Sequence, residues 1–330
     1  MAAGCVHPVP NDLVEVGLSV VGGPVDADGA LGVVAVRVEV FDQHGDTVRF
    51  NGSLEADAEG SVTELTLEPG AAPVTMFLPR GGTYTFAASG YGAGGEFLAF
   101  GEASRVALKG RDDAVAITMA GLLGHARLDP RTPVHALLPG QTLDLLLTVM
   151  PPAREDLVVP PADYEASYEV ENATTIASSG LGVRLQAGPR SGGDVVAKVE
   201  AEGLVILGSR AHPGVVTAEL RLPFATDVAV DMTPPEVSAL AFDPAQKALT
   251  GVADDDLGVV RLDVYDGPVL LASSDEETAD AEGVPVVSFP GGGTGFVALL
   301  DLPPGTHEVT VYASDFSRNQ GTASLVLTVP

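Results

Sequence analysis

Asp254, Asp255 and Asp256 form an unbroken run, with Asp231 ahead of them and Asp315 and Asn319 beyond. Hard oxygen ligands drawn from separate loops suit Ca2+, which accepts about six to eight oxygens in flexible geometry. These residues are the candidate Ca2+ ligands, although the same side chains in short polar loops also form Asx turns or simply face water. A second candidate is aromatic. Tyr91 sits in Ser89-Gly90-Tyr91-Gly92-Ala93-Gly94-Gly95 with Phe97 just beyond, a setting for ligand contact with a glycan or peptide. An aromatic content of 5% and the absence of tryptophan favour core packing or a partner contact for this pair instead.

Other chemistries lack their residues. His7, His44, His125, His135, His212 and His307 stand singly, with no His-x-His or His-Glu-x-x-His pair and one cysteine, Cys5, in the whole chain. No zinc or copper centre is signalled, and no internal disulfide can form. Gly-x-Ser-x-Gly and the phosphate-cradling Gly-x-x-x-x-Gly-Lys are absent, and Gly291-Gly292-Gly293 follows Pro290 without a strand-to-helix context. The chain is therefore expected not to be an enzyme. A net charge of −28 repels a polyphosphate backbone, which excludes nucleic acid as a partner. No stretch reaches the ~18 consecutive apolar residues of a spanning helix.

What must position the candidate residues is β-structure. Apolar residues alternate over short runs bounded by Gly, Pro, Asn and Asp, and no window holds a 3.6-residue period for three turns. Residues 34–41 alternate, Asp42-Gln43-His44-Gly45 turns, and 46–50 return as a hairpin. Further strands are predicted at 63–67, 74–78, 83–88, 96–100, 104–108 and 114–119, then at 125–128, 142–149, 164–169, 183–187, 195–201 and 217–223. The acidic run 275–282 reads as a solvated loop. Pro234-Pro235 favours extended backbone and marks the clearest boundary.

Leu78-Pro79-Arg80-Gly81-Gly82-Thr83-Tyr84-Thr85-Phe86 parallels Leu302-Pro303-Pro304-Gly305-Thr306-His307-Glu308-Val309-Thr310-Val311-Tyr312 with a one-residue shift. The last third runs from Thr233-Pro234-Pro235 through Val252-Ala253-Asp254-Asp255-Asp256-Leu257-Gly258 to Tyr312-Ala313-Ser314-Asp315-Phe316-Ser317-Arg318-Asn319. It resembles the bacterial immunoglobulin-like domains of surface proteins, and the first third resembles an immunoglobulin-like or transthyretin-like sandwich. In an immunoglobulin-like topology the N-terminal linker and the two acidic loops meet at one pole. That would bring Asp231, the aspartate triplet, Asp315 and Asn319 together at a domain junction, which a cation would stiffen.

Met1-Ala2-Ala3-Gly4-Cys5 resembles the end of a bacterial lipoprotein signal, with Ala2 where a leucine is usual, and this implies lipid attachment at Cys5. The expectation is an all-β chain of tandem immunoglobulin-like or transthyretin-like β-sandwiches: an anchor segment at 1–10, then domains at 11–120, 121–232 and 233–330. It would be a non-catalytic, lipid-anchored spacer or accessory subunit of the bacterial cell envelope. It would face outside the cytoplasm, bind other envelope or surface-layer proteins, and have no cofactor beyond a candidate Ca2+. The alternative is a secreted ligand-binding or enzyme-accessory protein recognising glycan or peptide.

Overall fold

The computed structural model describes residues 13–26, 29–48, 64–67, 73–109, 113–189, 193–208, 210–225 and 232–330. Nearly all of its regular structure is β. Two compact units divide the chain, one from Met1–Ala126, Thr148–Ala166 and Glu200–Thr217, the other from Arg127–Leu147, Ser167–Val199 and Ala218–Pro330.

The first unit begins with β1 (Leu13–Val21), β2 (Ala35–Phe41), β3 (Glu64–Leu67), β4 (Val74–Pro79), β5 (Thr83–Tyr91), β6 (Phe97–Ala107), β7 (Asp113–Thr118) and β8 (Ala120–Leu123). One sheet has the order β4-β1-β7, and the other runs β3-β2-β5-β6-β8. Period-two alternation decides which side chains enter the core between them. Val14, Val16, Leu18 and Val20 of β1 are buried, as are Val36, Val38 and Val40 of β2. Met76, Leu78, Phe86, Val115 and Ile117 close the same cluster. Each such aliphatic side chain contributes roughly 1.5–3 kcal/mol of burial. The turn after β2 has its expected chemistry: Asp42 Oδ1 accepts from the His44 and Asp46 amides at 2.8 and 3.0 Å, and Gly45 supplies φ +85°. β1 lies antiparallel to β4 and parallel to β7, pairing Val16 with Asp113 through Val21 with Thr118.

The middle of the chain supplies β9 (His125–Pro130), β10 (Thr142–Met150), β11 (Glu165–Glu171), β12 (Ala173–Ser179), β13 (Gly182–Ala187), β14 (Val195–Leu207) and β15 (Arg210–Leu222). A four-stranded sheet has the order β12-β13-β10-β9, while β14 pairs with β15 and, through Leu204 and Val205, runs parallel to β8.

Residues 236–329 form β16 (Glu236–Asp243), β17 (Ala248–Asp254), β18 (Arg261–Asp266), β19 (Val269–Ser273), β20 (Gly295–Leu299), β21 (Gly305–Ser314) and β22 (Gln320–Val329). The sheets are β16-β17-β20 and β19-β18-β21-β22, an immunoglobulin-like Greek key with an added edge strand on the larger sheet. Leu249, Leu262, Val264, Phe296, Val309 and Val311 form the core between them. Phe289 and Phe296 meet edge to face, centroids 6.2 Å apart.

The acidic run after β19 is helix α1 (Glu276–Glu282) rather than a solvated loop. Its glutamates and alanines are good helix formers, acidic residues suit the N-terminal end of the dipole, and Gly283 takes the left-handed conformation that ends it. Seven residues are too few for helical periodicity to register in sequence.

Candidate functional site

The aspartate triplet sits where β17 must turn towards β18. Asp255 is 8% exposed, and its Oδ2 accepts from the Leu257 and Gly258 amides, both at 3.1 Å. Asp254 Oδ1 accepts from the Asp255 amide at 3.0 Å and stands 3.2 Å from His135 Nε2, while Asp256 is exposed. At the β21–β22 turn Asp315 is 4% exposed. Its Oδ1 accepts from the Asn319 amide at 2.8 Å and its Oδ2 from Asn319 Nδ2 at 2.7 Å. Asn319 Nδ2 also donates to the Thr233 carbonyl at 3.3 Å, tying the turn to the segment that enters β16. These acids thus organise backbone: each bond to a charged acceptor satisfies an amide that the turn leaves unpaired. Among the described residues no group of three or more His, Cys, Asp or Glu side chains is disposed to hold a metal ion. Asp231 lies outside the described residues, as does Cys5.

The same turn receives a segment of the second unit from a distant part of the sequence. The Val259 amide donates to the Pro133 carbonyl at 2.8 Å, the His135 amide donates to Leu257 at 3.3 Å, and Val134 bridges Gly258. Gly258, at φ +122°, is required there, since a Cβ would lie 2.4 Å from the Pro133 carbonyl oxygen. Pro130 also packs on Gly292, where a Cβ would come within 2.9 Å of its ring. Within this strap Arg131 pairs with Glu276 of α1, and beside it Arg261 pairs with Asp263 at 2.7 Å and Asp275 at 3.4 Å. Arg184 grips Asp144 bidentately at 2.7 and 3.0 Å. The arginines line a cleft of about 240 Å³. Burial disfavours the Arg261 charge, but the bond to Asp263 and the nearby carboxylates outweigh it and hold the guanidinium pKa above its usual value. These groups did not stand out in the sequence, because Arg131 and Glu276 are 145 positions apart.

Tyr91 and Phe97 face each other across β5 and β6, ring centroids 5.6 Å apart and planes tilted by 32°. Both are half-buried. The glycine-rich loop between them is a tight turn: the Gly92 amide donates to the Glu96 carbonyl at 2.9 Å, and the Gly94 amide donates to Glu96 Oε2 at 3.0 Å. The rings pair at the end of a hairpin. No helix among the described residues is long and apolar enough to cross a membrane.

No protein-family model and no curated protein sequence matches the chain. Among solved structures it is similar to extracellular domains 3–5 of Drosophila OTK, with a TM-score of 0.22 and 8% identity over 98% of this chain and 100% of that one. It is also similar to the insect immune protein hemolin, with a TM-score of 0.18 and 10% identity over 94% of this chain and 74% of that one. Likenesses this loose add nothing to what the sheet order establishes.

Proposed function

We propose that the chain is a non-catalytic structural and interaction protein of a bacterial cell envelope. It is lipid-anchored at Cys5 and built as a tandem β-sandwich spacer or accessory subunit of a surface complex, with domains at 11–120, 121–232 and 233–330. The observation that carries this reading is the strap at 130–135 seated on the loops of the immunoglobulin-like sandwich. Backbone hydrogen bonds, two glycine contacts and the Arg131–Glu276 pair hold the strap on those loops. A stiff seam between sandwiches is what a spacer needs, and Asp254, Asp255 and Glu276 beside it are engaged in structural bonds. The sequence supports the same reading through its missing catalytic motifs and a surface charge that suits protein partners better than nucleic acid.

The test is expression with the native upstream region, followed by membrane fractionation and intact mass spectrometry. An acylated chain in the membrane fraction, released by Cys5→Ser, is expected, because two or more acyl chains hold a folded body firmly. An unmodified Cys5 in native material would remove the anchor from the proposal.

A further inference from the structure

The outer face of the β19-β18-β21-β22 sheet carries an aromatic corner outside the acidic turn and the arginine cleft. Register places Asp263 opposite Tyr312 and Tyr265 opposite Thr310, so these side chains share one face, while Leu262, Val264, Val311 and Ala313 point into the core. The Tyr265 and Tyr312 rings stand perpendicular, at 89° with centroids 5.6 Å apart. With Asp263, Gly267, Pro268 and Gln320 they line a concavity of about 280 Å³. Both rings are half-buried, and neither phenol hydroxyl has a hydrogen-bond partner among the described residues.

We propose that this corner binds a single neutral pyranose ring, as one residue of a surface polysaccharide. A hexopyranose offers an apolar C–H face and a rim of hydroxyls. One tyrosine can take the face and the other the edge, while the phenols, the Gln320 amide and the Asp263 carboxylate meet the rim. The volume lies at the small end of ligand pockets and suits one ring. Charge separates this ligand from two competitors. Asp263 Oδ2 already accepts from Arg261 Nε at 2.7 Å and its Oδ1 from Ser273 Oγ at 2.6 Å, so both its oxygens are engaged and a guanidinium beside it weakens its pull on a quaternary ammonium. An anionic ligand would meet Asp263 itself in a chain of net charge −28. A proline-rich peptide needs a row of aromatic grooves, and here there is one corner. The site is independent of anchoring at Cys5.

The test is saturation-transfer NMR on the full chain with glucose, galactose, mannose and N-acetylglucosamine, each at millimolar concentration, and with choline. Transfer to the ring protons of at least one sugar is expected, lost in Tyr312→Ala. Tyr265→Phe and Tyr312→Phe keep the rings and the fold, and each is expected to weaken binding about fivefold, as for one lost hydrogen bond. They decide the matter if the alanine variant melts early. No transfer to any of the sugars, transfer undiminished in all the variants, or transfer to choline alone would overturn the proposal.

Discussion

His307 Nδ1 lies 2.7 Å from Asp266 Oδ2, and its Nε2 lies 2.9 Å from the Pro303 carbonyl oxygen. Both ring nitrogens thus face acceptors, an arrangement that only the doubly protonated imidazolium satisfies with two donors. The Asp266 carboxylate first, and the Pro303 carbonyl second, hold the His307 pKa above its usual value of 6.5. A raised folded-state pKa gives stability that is complete below the unfolded value and is lost as pH rises through the folded one. Denaturant midpoints should therefore fall as pH climbs above 6.5, and His307→Gln should flatten that part of the profile. A variant with the wild-type slope would show that other groups set it.

Gly258→Ala should destabilise the chain by about 3 kcal/mol, combining an unfavourable φ with a clash against the Pro133 carbonyl. Gly283→Ala is the comparison, since it also has positive φ but no neighbour within 4 Å of the added Cβ. It should cost only about 1 kcal/mol. Urea unfolding of both would show whether the strap contact contributes beyond backbone strain.

Asp315→Ala should cost about 2 kcal/mol, because the Asn319 amide and side chain lose a buried charged acceptor. The same bonds lead to an expectation for Ca2+. Melting in millimolar Ca2+ should exceed melting in chelator by no more than sodium achieves at matched ionic strength, as diffuse screening of the −28 chain requires. A larger rise specific to Ca2+, abolished by Asp254→Asn with Asp315→Asn, would assign those carboxylates to a cation.

Limited proteolysis should leave α1 intact in the native chain and cut it sooner in Arg131→Ala, where the tether to Glu276 is gone. Equal cleavage rates would show that the helix is held by its other contacts alone.

The strands were legible wherever period-two alternation met ordinary turn chemistry. Alternation over residues 34–41 predicts a strand and β2 spans Ala35–Phe41; that over 74–78 predicts another and β4 spans Val74–Pro79. Residues 96–100 and 104–108 read as two strands, yet β6 is one, Phe97–Ala107. Gly101, which resembles a breaker, sits inside it because the Thr118 carbonyl passes too close for a Cβ. β12 gave no signal, since its residues are almost all exposed and only Ile176 among them is a large hydrophobe. Around the candidate site, the turn-forming character of the acids was visible in their types. Their partners were not: His135 meets Asp254 across 119 positions, a distance that local pattern does not span.

The parallel pairing of β1 with β7 has a mechanical consequence. Leu13 begins one strand and Thr118 ends its neighbour, so tension pulling those two points apart slides the strands along each other. Their evenly spaced bonds are then loaded together in shear, instead of opening one after another as in a peeled hairpin. A sandwich clamped in this way yields late under load and all at once.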